Sequence, residues 1–122
     1  MRQALLQLMK GQLGYPSAML VVEKELSQLP HLQKNSASLP QRRIDLLVYR
    51  KSGENLLPLL LVECKAEHAD RKAIEQLMGY NHYVGAPFVA VVSKTAQLTG
   101  WQGRSGLEFS EGLFTYEQLL NS

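Results

Sequence analysis

Three residues of this chain have the types and spacing that phosphodiester chemistry needs: Asp45, Glu63 and Lys65. Asp45 stands near the start of a strand-forming run, Ile44-Asp45-Leu46-Leu47-Val48-Tyr49, while Glu63 and Lys65 end a second such run that begins at Leu56. Lys51-Ser52-Gly53-Glu54-Asn55 between them has turn chemistry, so a hairpin is the simplest connection. In an antiparallel hairpin the start of one strand lies beside the end of its partner, which lets the two carboxylates meet. Side chains alternate faces along a strand, so Glu63 and Lys65 share one side and Cys64 takes the other.

Two neighbouring carboxylates repel and are costly on a half-buried strand unless a cation neutralises them. Oxygen ligands in small number, with room for water and phosphate oxygens, suit Mg²⁺, for which Mn²⁺ is the expected substitute. Such an ion lowers the pKa of a bound water and stabilises charge on a phosphate, and a nearby ammonium orients the nucleophile or relieves charge repulsion. A Glu-x-Lys by itself is more often a solvated surface pair of little worth. Position argues otherwise here: both charges follow Leu57 and the unbroken run Leu59 to Val62, which reads as an interior strand buried on both faces.

The elements that must hold these residues are legible on either side. Leu5, Leu8, Met9 and Leu13 fall at helical spacing, predicting an amphipathic helix over 2–13 that ends at Gly14-Tyr15-Pro16. Residues 19–26 read as a first strand, with Glu23 a candidate third carboxylate or simply part of a solvated edge. Residues 28–40 are polar and poorly periodic and read as a long loop. Arg42 and Arg43 then lead into the Asp45 strand; Arg43, two residues from Asp45, shares its face and is the better candidate for a phosphate contact.

Beyond Lys65, residues 69–84 read as a helix with Asp70 as N-cap and Gly85-Ala86-Pro87 as the stop. Ala73, Ile74, Leu77, Met78 and Val84 form its apolar arc. Gln76 and Tyr80 line a flank that looks toward the site, four residues apart and so able to act on one neighbour. Asn81 falls inside the arc, where it must find hydrogen-bond partners and is expected to hold a loop. Phe88 to Ser93 reads as a buried strand running parallel to the Glu63 strand after the helical crossover. The last stretch carries turn glycines at Gly100, Gly103, Gly106 and Gly112 and a short helix over 116–120.

A chain of 122 residues fits one domain, 1–122, with one core. The formal charge of +2 is too small to argue for a polyanionic partner. The lone Cys64 excludes an internal disulfide framework, no Cys and His spacing suggests zinc, and no apolar run reaches the roughly 18 residues of a membrane span. With no signal-peptide pattern, the expectation is a cytoplasmic protein without a membrane partner.

The order of elements and the residues Arg2-Gln3, Gly14-Tyr15-Pro16, Val22-Glu23, Arg43-Ile44-Asp45, Val62-Glu63-Cys64-Lys65-Ala66 and the QLMGYN of residues 76–81 resemble the PD-(D/E)XK nuclease superfamily. Within it, the chain is most similar to the N-terminal nuclease domain of type I restriction enzyme R subunits, over about residues 2–93. The resemblance implies an α/β, restriction-endonuclease-like αβββαβ core with a mixed central sheet flanked by helices. It further implies a Mg²⁺-dependent DNA endonuclease of restriction-modification type. Asp45 and Glu63 would ligate the ion, with the Cys64 backbone carbonyl as an extra oxygen, and Lys65 would act at the attacking water. Gln76 and Tyr80 would match the Gln-x-x-x-Tyr motif that supports the site and meets the DNA backbone.

Ile44 stands where the superfamily often has proline, and there is neither a translocase nor a Gly-x-x-x-x-Gly-Lys-Ser/Thr loop. The chain therefore reads as a freestanding nuclease or a piece working with other protein chains. A homodimer would let two single-cut sites act on opposite strands, but nothing in the sequence demands one. The alternative is a catalytically inactive nucleic-acid-binding or accessory module of the same fold.

Overall fold

The computed structural model describes residues 2–32 and 39–122. One six-stranded sheet is ordered as the chain is: β1 (Leu20–Glu25), β2 (Arg43–Ser52), β3 (Asn55–Cys64), β4 (Phe88–Val92), β5 (Gln97–Gly103) and β6 (Gly106–Glu111). All neighbours are antiparallel except β3 and β4, joined across α2 (Arg71–Tyr80). This mixed α/β sheet agrees with the fold class read from the sequence.

Alternation along the central strands divides the core into two layers. Leu47, Tyr49, Leu61, Val89 and Val91 pack under α2, against Ala73, Ile74 and Leu77. Leu46, Val48, Leu60, Val62, Ala90 and Val92 face the other way, against Leu5 and Met9 of α1 (Arg2–Gly11) and Leu119 of α3 (Tyr116–Leu120). Leu59 to Val62 are all buried, as an interior strand requires. Pro58 precedes the first β4 pair, Leu60 with Phe88, so its missing N–H costs no ladder bond on that side.

The Asp70 carboxylate accepts the Ala73 N–H at 2.9 Å and caps α2, as its position suggested. The helix ends at Tyr80, four residues short of the expected Val84, and turns occupy the interval. Asn81 accounts for the early stop: its buried amide donates to Ala86 O and accepts from Ala86 N–H, closing the loop on itself.

The carboxyl-terminal third departs from the turn-rich reading. Gly100 and Gly103 lie inside β5, which pairs with β6 around the tight Arg104-Ser105 turn, while Gly106 and Gly112 take positive φ. Gly100 is dictated by packing: a Cβ there would stand 2.7 Å from Ile74 Cδ1 of α2.

The loop expected over 28–40 has an ordered approach, and residues 33–38 of it lie outside the described residues. A 3-10 turn, Leu26–Gln28, follows β1, and Leu26 and Leu29 are fully buried beneath α2. His31 then bridges the sheet and the turn that follows α2, with Nδ1 2.5 Å from Tyr49 Oη and Nε2 2.8 Å from Val84 O. A carbonyl only accepts, so Nε2 carries the proton and Nδ1 accepts from the phenol. Among the described residues no helix is long and apolar enough to cross a membrane.

Burial lowers the pKa of His31 from 6.5, so the unfolded chain binds a proton more readily than the folded one. That stability is present above pH 6.5 and is lost as pH falls through it. Thermal melts between pH 7.5 and 5.5 should show a drop in Tm that is smaller in His31→Gln; equal drops would show that this imidazole does not set the pH response.

Candidate functional site

The sheet comes apart at one rung, and the acidic residues sit there. The β2 and β3 ladder ends at Leu46 with Val62, so Asp45 and Glu63 stand one residue past the last pair. The next hydrogen-bonded rung, Ile44 with Cys64, does not form; the Cys64 N–H donates instead to Asp45 Oδ2 at 2.8 Å. A charged oxygen thus replaces a backbone carbonyl, a stronger acceptor that draws the carboxylate across toward β3. The β1 and β2 ladder skips the same level, between Val22 with Leu46 and Lys24 with Ile44. Glu23, opposite Asp45, has φ 53°, a left-handed conformation in which a non-glycine side chain is strained.

Glu63 is neutralised twice. Arg42 donates from Nη2 to Oε1 at 2.7 Å, and Lys65 Nζ stands 3.4 Å from Oε2. The Lys65 backbone N–H donates to Val92 O at 2.7 Å, anchoring the end of β3 to β4 just where it has left β2. Glu63 and Lys65 therefore lie on one side, and Cys64 packs with the α1 layer, as alternation requires. Burial, then the Asp45 carboxylate, pushes the Cys64 thiol up, so it stays neutral and acts as a packing group.

Tyr80 closes the site from α2. The Arg42 guanidinium lies 3.8 Å from the centroid of its ring, and its Oη is buried with no hydrogen-bond partner among the described residues. Burial holds this phenol neutral, its pKa pushed up to about 12, and leaves an O–H free to donate. Arg42, Arg43, Asp45, Glu63 and Tyr80 help wall a crevice of about 10 Å³, room for about one water. A wider cleft of about 720 Å³ beyond β4, lined by Lys94 and Glu111 among others, has no pair of carboxylates.

The remaining expected residues are placed unequally. Gln76 is exposed on α2, on the flank that carries Tyr80. Arg43 lines the crevice, but the neighbouring Arg42 holds Glu63 and Tyr80. Face alternation favoured Arg43; the irregular backbone at this rung gives the contact to its neighbour. Glu23 is ion-paired with Arg2 of α1, a residue that the sequence offered as part of a motif without a contact.

As a donor set, the Asp45 and Glu63 carboxylates and the Cys64 carbonyl are hard oxygens, too few for an all-protein cage. Among the described residues no three His, Cys, Asp or Glu side chains gather as a metal-binding group. Two carboxylates with water in the remaining positions fit Mg²⁺ better than Ca²⁺ or zinc.

A family model for the type I restriction enzyme R protein N terminus matches residues 1–111. The chain belongs to that family. The match runs through α1, the whole Asp45 and Glu63 hairpin, α2 and β6, and so covers every residue of the site. Membership supports a nuclease-like domain of restriction-enzyme type. No curated protein and no solved structure matches the chain.

Because Asp45 replaces a ladder acceptor, Asp45→Ala should cost about 1–3 kcal/mol in urea unfolding by leaving the Cys64 N–H unpaired. Asp45→Asn, which keeps a carbonyl oxygen, should cost less. Equal stability of Asp45→Ala and the parent would show that water satisfies that N–H.

Proposed function

We propose that this protein is a Mg²⁺-dependent DNA endonuclease that hydrolyses phosphodiester bonds, with DNA as its partner. The observation that carries the reading is the opened rung: two carboxylates one residue past the end of a ladder, with Lys65 held on one of them. Membership of the R-protein family supports the same conclusion.

In this reading Asp45, Glu63 and the Cys64 carbonyl hold the ion. When bound, it would supply Lewis acidity toward a phosphate oxygen and toward water. The chain's own groups do the rest. Lys65, 3.4 Å from Glu63, orients the attacking water and offsets charge building on the phosphate. Arg42 and Arg43 lie beside the carboxylates, where a phosphate would otherwise be repelled. Tyr80 keeps its proton and offers an unpaired O–H at the wall of the crevice.

Arg42 has a second consequence. Its ion pair occupies Glu63 Oε1 and competes with a divalent cation for that oxygen. The pair is partly exposed, so removing it should tighten Mn²⁺ binding only about two- to fivefold in Arg42→Ala. Calorimetric titration checks this; unchanged affinity would mean that Arg42 does not compete.

The second reading, a nucleic-acid-binding module without catalysis, is favoured by the same double neutralisation of Glu63, which satisfies the carboxylate without a metal. Supercoiled and single-stranded DNA incubated with Mg²⁺ or Mn²⁺ separates the two. Nicking should require the metal and fall at least about a hundredfold in Lys65→Ala and in Asp45→Asn. Circular dichroism matching the parent would keep misfolding from explaining the loss. Binding without metal-dependent nicking would select the module instead.

A further inference from the structure

Beyond the crevice, the turn that follows α2 carries two aromatic rings, His82 and Tyr83, that the site does not use. The Tyr80 ring has the Arg42 guanidinium against it, and Tyr83 follows with its centroid 6.1 Å away. His82 meets Tyr83 edge-on at 5.7 Å. Tyr83 is 43 % exposed, and His82 beside it is exposed as well, so the two rings lie together at the surface. The result is a continuous series of planar groups from Glu63 outward: guanidinium, phenol, phenol, imidazole. Cations stand at its inner end, with Arg42 and Lys65 partly exposed on either side of Glu63.

We infer that this face is a stacking platform for unpaired bases, and that the site takes single-stranded or locally unpaired nucleic acid in preference to intact duplex. The inference rests on the nuclease reading for the identity of the site. Bases within a duplex present their edges and hide their faces, so an exposed ring gains little from them. An unpaired base offers its face, and stacking on an aromatic side chain is indifferent to sequence. Positive groups that track the backbone beside rings that take the bases are how single strands are held. Tyr83 supplies the outer surface, because Arg42 already covers one face of Tyr80. His82, nearly perpendicular to Tyr83 with centroids 5.7 Å apart, braces the exposed ring.

The test measures binding, not cleavage. A fluorescein-labelled 20-nucleotide strand of mixed sequence, and the same strand annealed to its complement, are titrated with protein in Ca²⁺ by anisotropy. The parent should bind the single strand more tightly. Tyr83→Ala should weaken single-strand binding about fivefold or more and change duplex binding less than about twofold, with Tyr83→Phe restoring the parent value. Leu57→Ala, an exposed apolar residue at the opposite end of β3, should change neither. Equal losses for both probes, or none in Tyr83→Ala, would overturn the platform and leave the nuclease reading standing. Failure of the parent to bind either probe would sink both.

Discussion

The hydrogen bond from the Cys64 N–H to the Asp45 carboxylate is the constraint on which the site depends. It lets two strands part without leaving the Cys64 N–H unpaired, and it fixes one carboxylate at the mouth of the gap. The Lys65 N–H, bonded to Val92, keeps the end of β3 straight where it would otherwise lose its neighbour. The end of β3 is thus held by two paired backbone N–H groups, Cys64 and Lys65, which helps give the charged side chains fixed positions.

Charge balance at the opening follows from the same geometry. Asp45 is held by an N–H and Glu63 by two cations, so each carboxylate has its own partners at the gap. Arg42 can serve there because the Tyr80 ring lies against its guanidinium, restricting a long side chain that would otherwise sample solvent. Arginine suits this double role, since its planar head pairs with a carboxylate in plane and stacks through its face.

Much of this was legible in the sequence, for stated physical reasons. The apolar run before Glu63 required an interior strand, the Lys51 to Asn55 turn residues required a hairpin, and together they brought Asp45 to Glu63. Asn81 inside an apolar arc required local partners and found Ala86. What stayed hidden was non-local or broke the period. The choice of Arg42 over Arg43 depends on an irregular rung that alternation cannot foresee, and the pairing of Glu23 with Arg2 depends on where α1 crosses the sheet. The β5 and β6 hairpin was obscured because Gly100 and Gly103 resemble turn residues. At Gly103 a Cβ would run into the Glu108 side chain, which also accepts the Trp101 indole N–H.

Gly100 has an effect that reaches further than its own strand. The space left by its missing methyl group is filled by Ile74, so α2 rests closer to the sheet than an alanine at that point would allow. A helix moves nearly as a rod, and Tyr80 rides on the same rod six positions further on. The height of the aromatic wall above the acidic gap therefore depends in part on a small residue of β5, a strand that contributes no side chain to the crevice.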